Sequence, residues 1–254
     1  SDNTFKVGTL LPITGSLAFL GPPEIAGVGL AVADINAAGG VNGKDACLYS
    51  TDSGDSSDMS VSTASAEDLI KQKVSVVLGA ASSSVSLNVV DSFTEAGIVE
   101  ISPANTSAAL SGYSPFYFRT APPDTVQGSA LGQLITGDGN SKIAFLVFND
   151  SYGTGLRDST ELSILDAGGS VVYGGTGKGQ EFPPAQTTFS SEVTAALAAQ
   201  PDALVVIAFD ETKAIIPELV AQGWDMANTY FTDGNTGSFE KDFEAGTLEL
   251  SLIH

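Results

Sequence analysis

Short apolar runs alternate with segments of helical spacing along the whole chain. Val7–Leu11 is strand-like, and after it Ile25, Val28, Val32 and Ile35 recur at helical intervals until Gly39-Gly40 stops the segment. Ala46–Tyr49 reads as the next strand, Thr51–Asp58 as a Ser/Asp-rich turn and Ser60–Lys71 as a helix. Val74–Leu78 has the continuous apolar character of a strand buried on both faces; Ser84–Glu95 follows as a helix and Ile98–Ile101 as a further strand. This β-α succession predicts an α/β fold in which helices cover both faces of a parallel sheet.

The character of the chain changes over Phe116–Asp124, where Pro122-Pro123-Asp124 interrupts it. Asp124 with Gln127 has the spacing of a capping box, and Val126, Ala130, Leu131 and Leu134 supply the buried face of a new helix. A second series follows, with strands Lys142–Phe148, Ser170–Tyr173, Ala203–Ala208 and Thr229–Thr232 and helices near Gly155–Asp166, Phe189–Ala199 and Thr212–Gln222. Pro217 removes a backbone bond from the last helix, so a late start or a kink is expected there. Two successive series predict two similar lobes meeting at a cleft, the first over 1–120 and the second over 121–248, with 249–254 beginning a return crossing to the first. Ligands of such sheets bind just beyond the carboxyl ends of the strands. That rule selects the loops after Leu11, Leu78, Ile101, Phe148, Ala208 and Thr232.

Composition removes several classes of function. At 254 residues the chain is long enough for two ordinary domains or one large one, and with 43% hydrophobic residues it can bury substantial cores. Thirty acidic against ten basic residues give a formal charge of −20, which repels phosphate backbones and argues against nucleic-acid binding. The acidity reads as solubility outside the cell or in a salty habitat. One cysteine, Cys47, and one histidine, His254, leave no partners for zinc sites of the Cys/His type, Cys-His nucleophiles or Ser-His-Asp triads. The P-loop, G-x-G-x-x-G, G-x-S-x-G and H-E-x-x-H patterns are absent, and neither a cofactor nor a metal is expected. Leu204–Phe209 is only strand-sized and Ile25–Ala33 is cut by glycines, so no transmembrane segment is expected. Ser1-Asp2-Asn3-Thr4 leads almost directly into the first strand, as a processed or trimmed N-terminus would.

Two of the selected loops carry candidate chemistry. Gly79-Ala80-Ala81-Ser82-Ser83-Ser84 runs small residues into a helix, whose N-terminal amides and partial positive charge, with serine hydroxyls beside them, can seat a carboxylate. The same serines also suit a simple helix cap. Ile101-Ser102-Pro103-Ala104-Asn105-Thr106 leaves its strand through a proline that keeps the backbone extended, which allows the Ala104 carbonyl and the Thr106 hydroxyl to face a ligand.

The run Ala31-Val32-Ala33-Asp34-Ile35-Asn36-Ala37-Ala38-Gly39-Gly40 and the Ser102-Pro103-Ala104-Asn105-Thr106 loop resemble the type I periplasmic solute-binding proteins of branched-chain amino-acid ABC importers, the leucine/isoleucine/valine-binding family. Thr9–Gly21, Gly79–Ser84, Arg119–Gly128, Tyr152-Gly153-Thr154-Gly155 and Phe231–Asn235 share the likeness, which covers essentially the whole chain. The resemblance implies two Rossmann-like lobes with parallel sheets joined by a hinge, closing on a small amino acid without catalysing a reaction. It implies that Ser83 and Thr106 hold the α-carboxylate, and that the Ala104 carbonyl, the Thr106 hydroxyl and Asp233 take the α-ammonium. Tyr152 would close over the ligand from the second lobe, with Phe209 near another aromatic of that lobe. Leu20 stands where many relatives have tyrosine, with Phe19 before it, and Ala81 where a larger apolar residue can occur; a roomier or more apolar pocket is therefore expected. Asp124, Phe19, Ser82 and Ser84 fall one layer back from the ligand, and capping alone accounts for Asp124.

The resemblance further implies a monomer outside the cytoplasm, periplasmic or lipid-anchored at the cell surface, with an ABC permease as partner. The rival reading is the sensing domain of a receptor or of an amide- or amino-acid-responsive regulator, which would need a membrane helix or a basic DNA-binding segment beyond His254. The family pattern continues past the segment matching Glu244–Leu248, so a fragment or a shortened product is expected. A lone cysteine is ordinarily a buried thiol; here Cys47 is alternatively explained as half of a disulfide whose partner lies in the missing part.

Overall fold

The structure is a computed structural model that describes residues 4–237, 242, 243, 247 and 252–253. The chain divides into two units after Pro123, three residues beyond the boundary expected at 120.

In the first unit five parallel strands take the order β2-β1-β3-β4-β5. They are β1 (Lys6–Leu11), β2 (Cys47–Asp52), β3 (Val76–Gly79), β4 (Val99–Ser102) and β5 (Tyr117–Arg119). Side chains alternate across the sheet. Leu10 and Val77 therefore meet Leu69 of α2 (Met59–Gln72) and Val85, Val89 and Phe93 of α3 (Ser83–Glu95) on one face. Val7 meets Val28, Val32 and Ile35 of α1 (Gly21–Ala37) on the other. Each helix begins where the sequence offers a start signal. Pro22 lies in the first turn of α1; Asp58 caps α2 by accepting from Ser60 N, and Ser82 caps α3 by accepting from Val85 N. The strand expected at Val74–Leu78 begins two residues later, and β5 is an addition to the expected set. Cys47, ordinarily a buried thiol, is exposed: it opens β2, an edge strand of the sheet.

In the second unit the parallel order is β10-β9-β8-β6-β7. The strands are β6 (Lys142–Val147), β7 (Ser170–Tyr173), β8 (Ala203–Ile207), β9 (Thr229–Phe231) and β10 (Leu252–Ile253). The helices are α4 (Asp124–Gly137), α5 (Ser151–Asp166), α6 (Ser190–Ala198) and α7 (Thr212–Ala221). α5 starts four residues before the expected Gly155, because the Asp150 carboxylate accepts from Gly153 N at 2.7 Å and caps it. α7 starts at the expected residue and continues through Pro217, which forfeits the bond to the Lys213 carbonyl. Leu252 and Ile253 pair with Tyr230 and Phe231 at the edge of this second sheet, in the stretch expected to begin a return to the first lobe.

Helices α4 and α5 lie against one another because two glycines of α4 remove side chains at the contact. A Cβ built at Gly128 would stand 2.6 Å from Ser159 Cβ, and one at Gly132 would stand 2.5 Å from Ser163 Cβ. Both distances are well inside van der Waals contact. Gly132→Ala should therefore force the helices apart and destabilise the second unit by about 1–3 kcal/mol despite alanine's better helix propensity. Urea unfolding of the two proteins measures this, and an unchanged or raised midpoint would contradict it.

Candidate functional site

The loops leaving β3 and β4 lie side by side because Leu78 and Ile101 are register partners near the carboxyl ends of those strands. Gly79 makes the first turn possible. Its φ is +132°, and a Cβ there would lie 2.0 Å from the Leu10 carbonyl oxygen. Beyond it Ala80, Ala81 and Ser82 lead into α3, with Ser82 spent as the cap and Ser83 as the first helical residue. The buried Ser83 Oγ accepts from the backbone amides of Thr106 at 3.4 Å and Ser107 at 3.2 Å, which leaves its own hydrogen to donate. Thr106 is only 6% exposed, and its Oγ1 has no hydrogen-bond partner among the described residues. Ser83 and Thr106 are thus brought together, at a helix N-terminus. Ala104 is half-buried on the β4 loop and Ser84 is half-buried as the second residue of α3, while Ala81 is buried with its carbonyl accepting from Asn105 Nδ2 at 2.8 Å.

Beneath these loops lies a buried polar network that sequence reasoning missed. Ser102 Oγ donates to the Ala80 carbonyl at 2.6 Å and accepts from the amides of Asn105 at 2.9 Å and Ala104 at 3.3 Å. Asn105 is held in turn by Tyr117, whose hydroxyl donates to its Oδ1 at 2.7 Å. Glu100, 1% exposed, accepts at Oε1 from Ser86 Oγ at 2.7 Å and from Ala80 N at 3.4 Å, while its Oε2 has no partner among the described residues. Burial pushes the Glu100 carboxyl up to about 7, against the opposing pull of the bonds from Ser86 and Ala80. Burial, with the Glu100 charge second, also raises the Tyr117 phenol. The available signal was a charged residue inside the apolar strand Val99-Glu100-Ile101.

The second unit gathers Tyr152, Phe209 and Asp233. Tyr152, in the first turn of α5, is buried with its ring stacked on Phe209 at 5.1 Å and 15°. Its hydroxyl donates to Asp233 Oδ1 at 2.7 Å, lies 2.9 Å from Thr232 Oγ1, and accepts from Gly234 N at 3.0 Å. Burial and then the Asp233 charge hold this phenol well above its usual value. Asp233 itself is exposed, at the start of a 3-10 turn following β9. Asn235 braces that turn by accepting from Thr232 N and Oγ1, both at 2.9 Å, and by donating to Thr212 Oγ1 at 2.7 Å. Thr212 donates in turn to the Phe209 carbonyl at 2.6 Å, so the loops after β8 and β9 are tied together. Of the remaining expected residues, Phe19 and Leu20 are half-buried before α1, and Asp124 is fully buried at the start of α4.

Chemically, the first unit offers two hydroxyls at a helix N-terminus, which suit an anion, and the second an exposed carboxylate on a braced turn, which suits a cation. Residues 4–245 match the family model described as periplasmic binding protein. A leucine-, isoleucine-, valine-, threonine-, and alanine-binding protein of Pseudomonas aeruginosa is 32% identical over 185 residues, which cover 70% of this chain and 48% of that protein. Among solved structures, the branched-chain amino acid transporter substrate binding protein of Streptococcus pneumoniae, in complex with isoleucine, superposes with a TM-score of 0.76 at 27% identity, over 91% of this chain and 65% of that one. An R. palustris ABC transporter solute binding protein in complex with 4-hydroxybenzoate shares the fold at a TM-score of 0.79 and 20% identity, over 92% and 63%. The chain spans about half the length of the curated relatives it matches. With two parallel α/β units and a family match over nearly all of its length, this chain belongs to the periplasmic binding proteins, in the type I leucine/isoleucine/valine-binding family.

Proposed function

We propose that this chain is the ligand-capturing part of an extracytoplasmic solute-binding protein that takes up an apolar α-amino acid and presents it, unmodified, to an ABC permease. The observation that carries the reading is the buried Thr106 hydroxyl, which has no partner among the described residues and stands beside Ser83 at the N-terminus of α3. Leaving a buried hydroxyl unmade costs about 1–3 kcal/mol, a cost that a ligand group able to bond it removes. A carboxylate fits, because Ser83 and Thr106 each have a hydrogen to donate and the helix field favours negative charge. In this reading the Ala104 carbonyl, the Thr106 lone pairs and Asp233 take the ammonium group. Asp233 is suited to that role: its Oδ1 is fixed by Tyr152 while the residue stays exposed. Phe209, Ala81 and Leu20 are apolar surfaces for the side chain. The protein acts as a monomer, and turnover is no part of the function. An extracytoplasmic location accords with the family; among the described residues no helix is long and apolar enough to cross a membrane.

Isothermal titration calorimetry with L-leucine, L-isoleucine, L-valine, L-alanine and L-threonine tests the proposal, with ligand recovered chemically unchanged as the check on turnover. Binding of at least one is expected, and failure of all five on folded protein would sink it. Ser83→Ala and Thr106→Val should each weaken the bound amino acid by about 10- to 100-fold, the equivalent of one hydrogen bond to a charged group. Asp233→Asn should weaken amino acids by a similar factor, about 10- to 100-fold, because a neutral amide meets the ammonium without charge. It should leave the corresponding carboxylic acid lacking the amino group unaffected; equal losses for both ligands would remove Asp233 from the ammonium seat.

A further inference from the structure

Glu100 is a buried acid placed where the anion-seating loop is built, and the capture mechanism described above does not use it. It lies on β4 with Val77 of β3 and Tyr117 of β5 as register partners, and its Oε1 reaches across to Ser86 in the second turn of α3 and to the Ala80 amide in the loop ahead of that helix. Both bonds run toward the carboxyl, so they persist in either protonation state if a proton sits on Oε2, the oxygen with no partner among the described residues. The loop geometry is therefore compatible with both states, while the charge beneath it differs by one.

That charge has few neighbours. From α3 Glu100 meets the Ser86 hydroxyl, from the β3–α3 loop the Ala80 amide, and from β5 the Tyr117 phenol, whose proton is given to Asn105. The Arg119 guanidinium of β5 acts on Tyr117, and among the described residues no cation shifts the Glu100 carboxyl. Burial without a cation is the reason its carboxyl is pushed up to about 7, so both forms are populated in neutral solution.

We propose that Glu100 is a positioning residue whose charge is coupled to ligand capture: the ionised carboxylate, bonded to Ser86 of α3 and to the Ala80 amide ahead of that helix, repels a carboxylate group bound at the N-terminus of α3, so binding draws a proton from solvent onto Glu100. The inference rests on the reading that α3 seats a carboxylate. A second anion close to the first, in a site shielded from water, raises the affinity of Glu100 for its proton. By reciprocity the proton raises the affinity for the ligand, about tenfold for each pKa unit of coupling. Ligand affinity then falls as pH rises through neutrality.

The test has a ligand-free and a ligand-bound arm, using wild type, Glu100→Gln and Glu100→Met. Without ligand, a carboxyl raised by folding stabilises the chain fully below its unfolded value, and that contribution is lost as pH rises from 4.5 to about 7. Urea midpoints of wild type relative to both variants should fall across that window; a constant difference would show that Glu100 does not titrate there and overturn the proposal. With ligand, L-leucine and L-isoleucine are titrated calorimetrically near neutral pH in two buffers of different ionisation enthalpy. Wild type should take up a fraction of a proton per ligand and bind about fivefold more weakly at pH 8 than at pH 6, the change expected when binding raises the carboxyl by one unit from about 7. Both variants should show no uptake and a flat profile. Wild-type binding without proton uptake, or uptake that persists in either folded variant, overturns the coupling while leaving amino-acid capture intact. Absence of binding by all five amino acids named above at either pH sinks the capture reading itself, and this inference with it.

Discussion

Neighbouring parallel strands that end at the same height leave two loops side by side, each with backbone groups that have lost their ladder partners, and the Ser102 hydroxyl resolves that problem in the first unit. It gives its hydrogen to the Ala80 carbonyl and takes the amides of Ala104 and Asn105. One side chain thus substitutes for several ladder bonds and ties the β3 loop to the β4 loop. Everything facing outward above it follows. With Ala80 and Ala104 anchored and Asn105 fastened to the Ala81 carbonyl, Ser83 comes within reach of the Thr106 and Ser107 amides. The Ser83 and Thr106 hydroxyls are placed by bonds made within and between these loops, the condition under which a polar site is preorganised.

The second unit meets the same constraint with an amide. Asn235 offers an acceptor to Thr232 and a donor to Thr212, and so joins the loops after β8 and β9 as Ser102 joins those after β3 and β4. The result differs because of what stands on top. In the first unit the Thr106 hydroxyl is left unspent; in the second the Tyr152 hydroxyl is spent on Asp233, and its ring is spent on Phe209. The contacts of Tyr152 in this unit describe a brace for the Asp233 carboxylate.

Local features of this kind were legible in the sequence to the extent that they depend on neighbours along the chain. The strand and helix periods were readable because the hydrophobic spacing repeats within each element, and the start of α3 because Ser82 caps its own helix. The start of α5 was misplaced because Asp150 stands outside the apolar pattern and acts through its side chain. β5 is three residues long with an exposed middle residue, too short for any period to show. The network under the site was invisible for a different reason. Glu100 meets a residue 14 positions away, Ser102 one 22 away and Tyr152 one 81 away, so their roles exist only once register is set. Family resemblance singled out Ser83, Thr106 and Asp233 as candidates without explaining what holds them.

The unequal spending of hydroxyls bears on what each unit contributes to recognition. A group whose bonds are already made adds rigidity and field but little new hydrogen bonding; a buried group with none made adds a bond and removes a penalty at once. By that criterion the larger gain per contact lies with Thr106 and Ser83. In the proposed capture Asp233 would contribute through charge, its carboxylate held by Tyr152, whose hydroxyl also accepts from Gly234 N. Of the apolar surfaces proposed for the ligand side chain, Phe209 is tied to the Asp233 brace through its stack on Tyr152, whereas Ala81 holds Asn105 through its backbone carbonyl alone. In the proposed capture, selectivity at Ala81 would therefore be separable from recognition of the charged ends, which would fall to loops fixed by buried bonds.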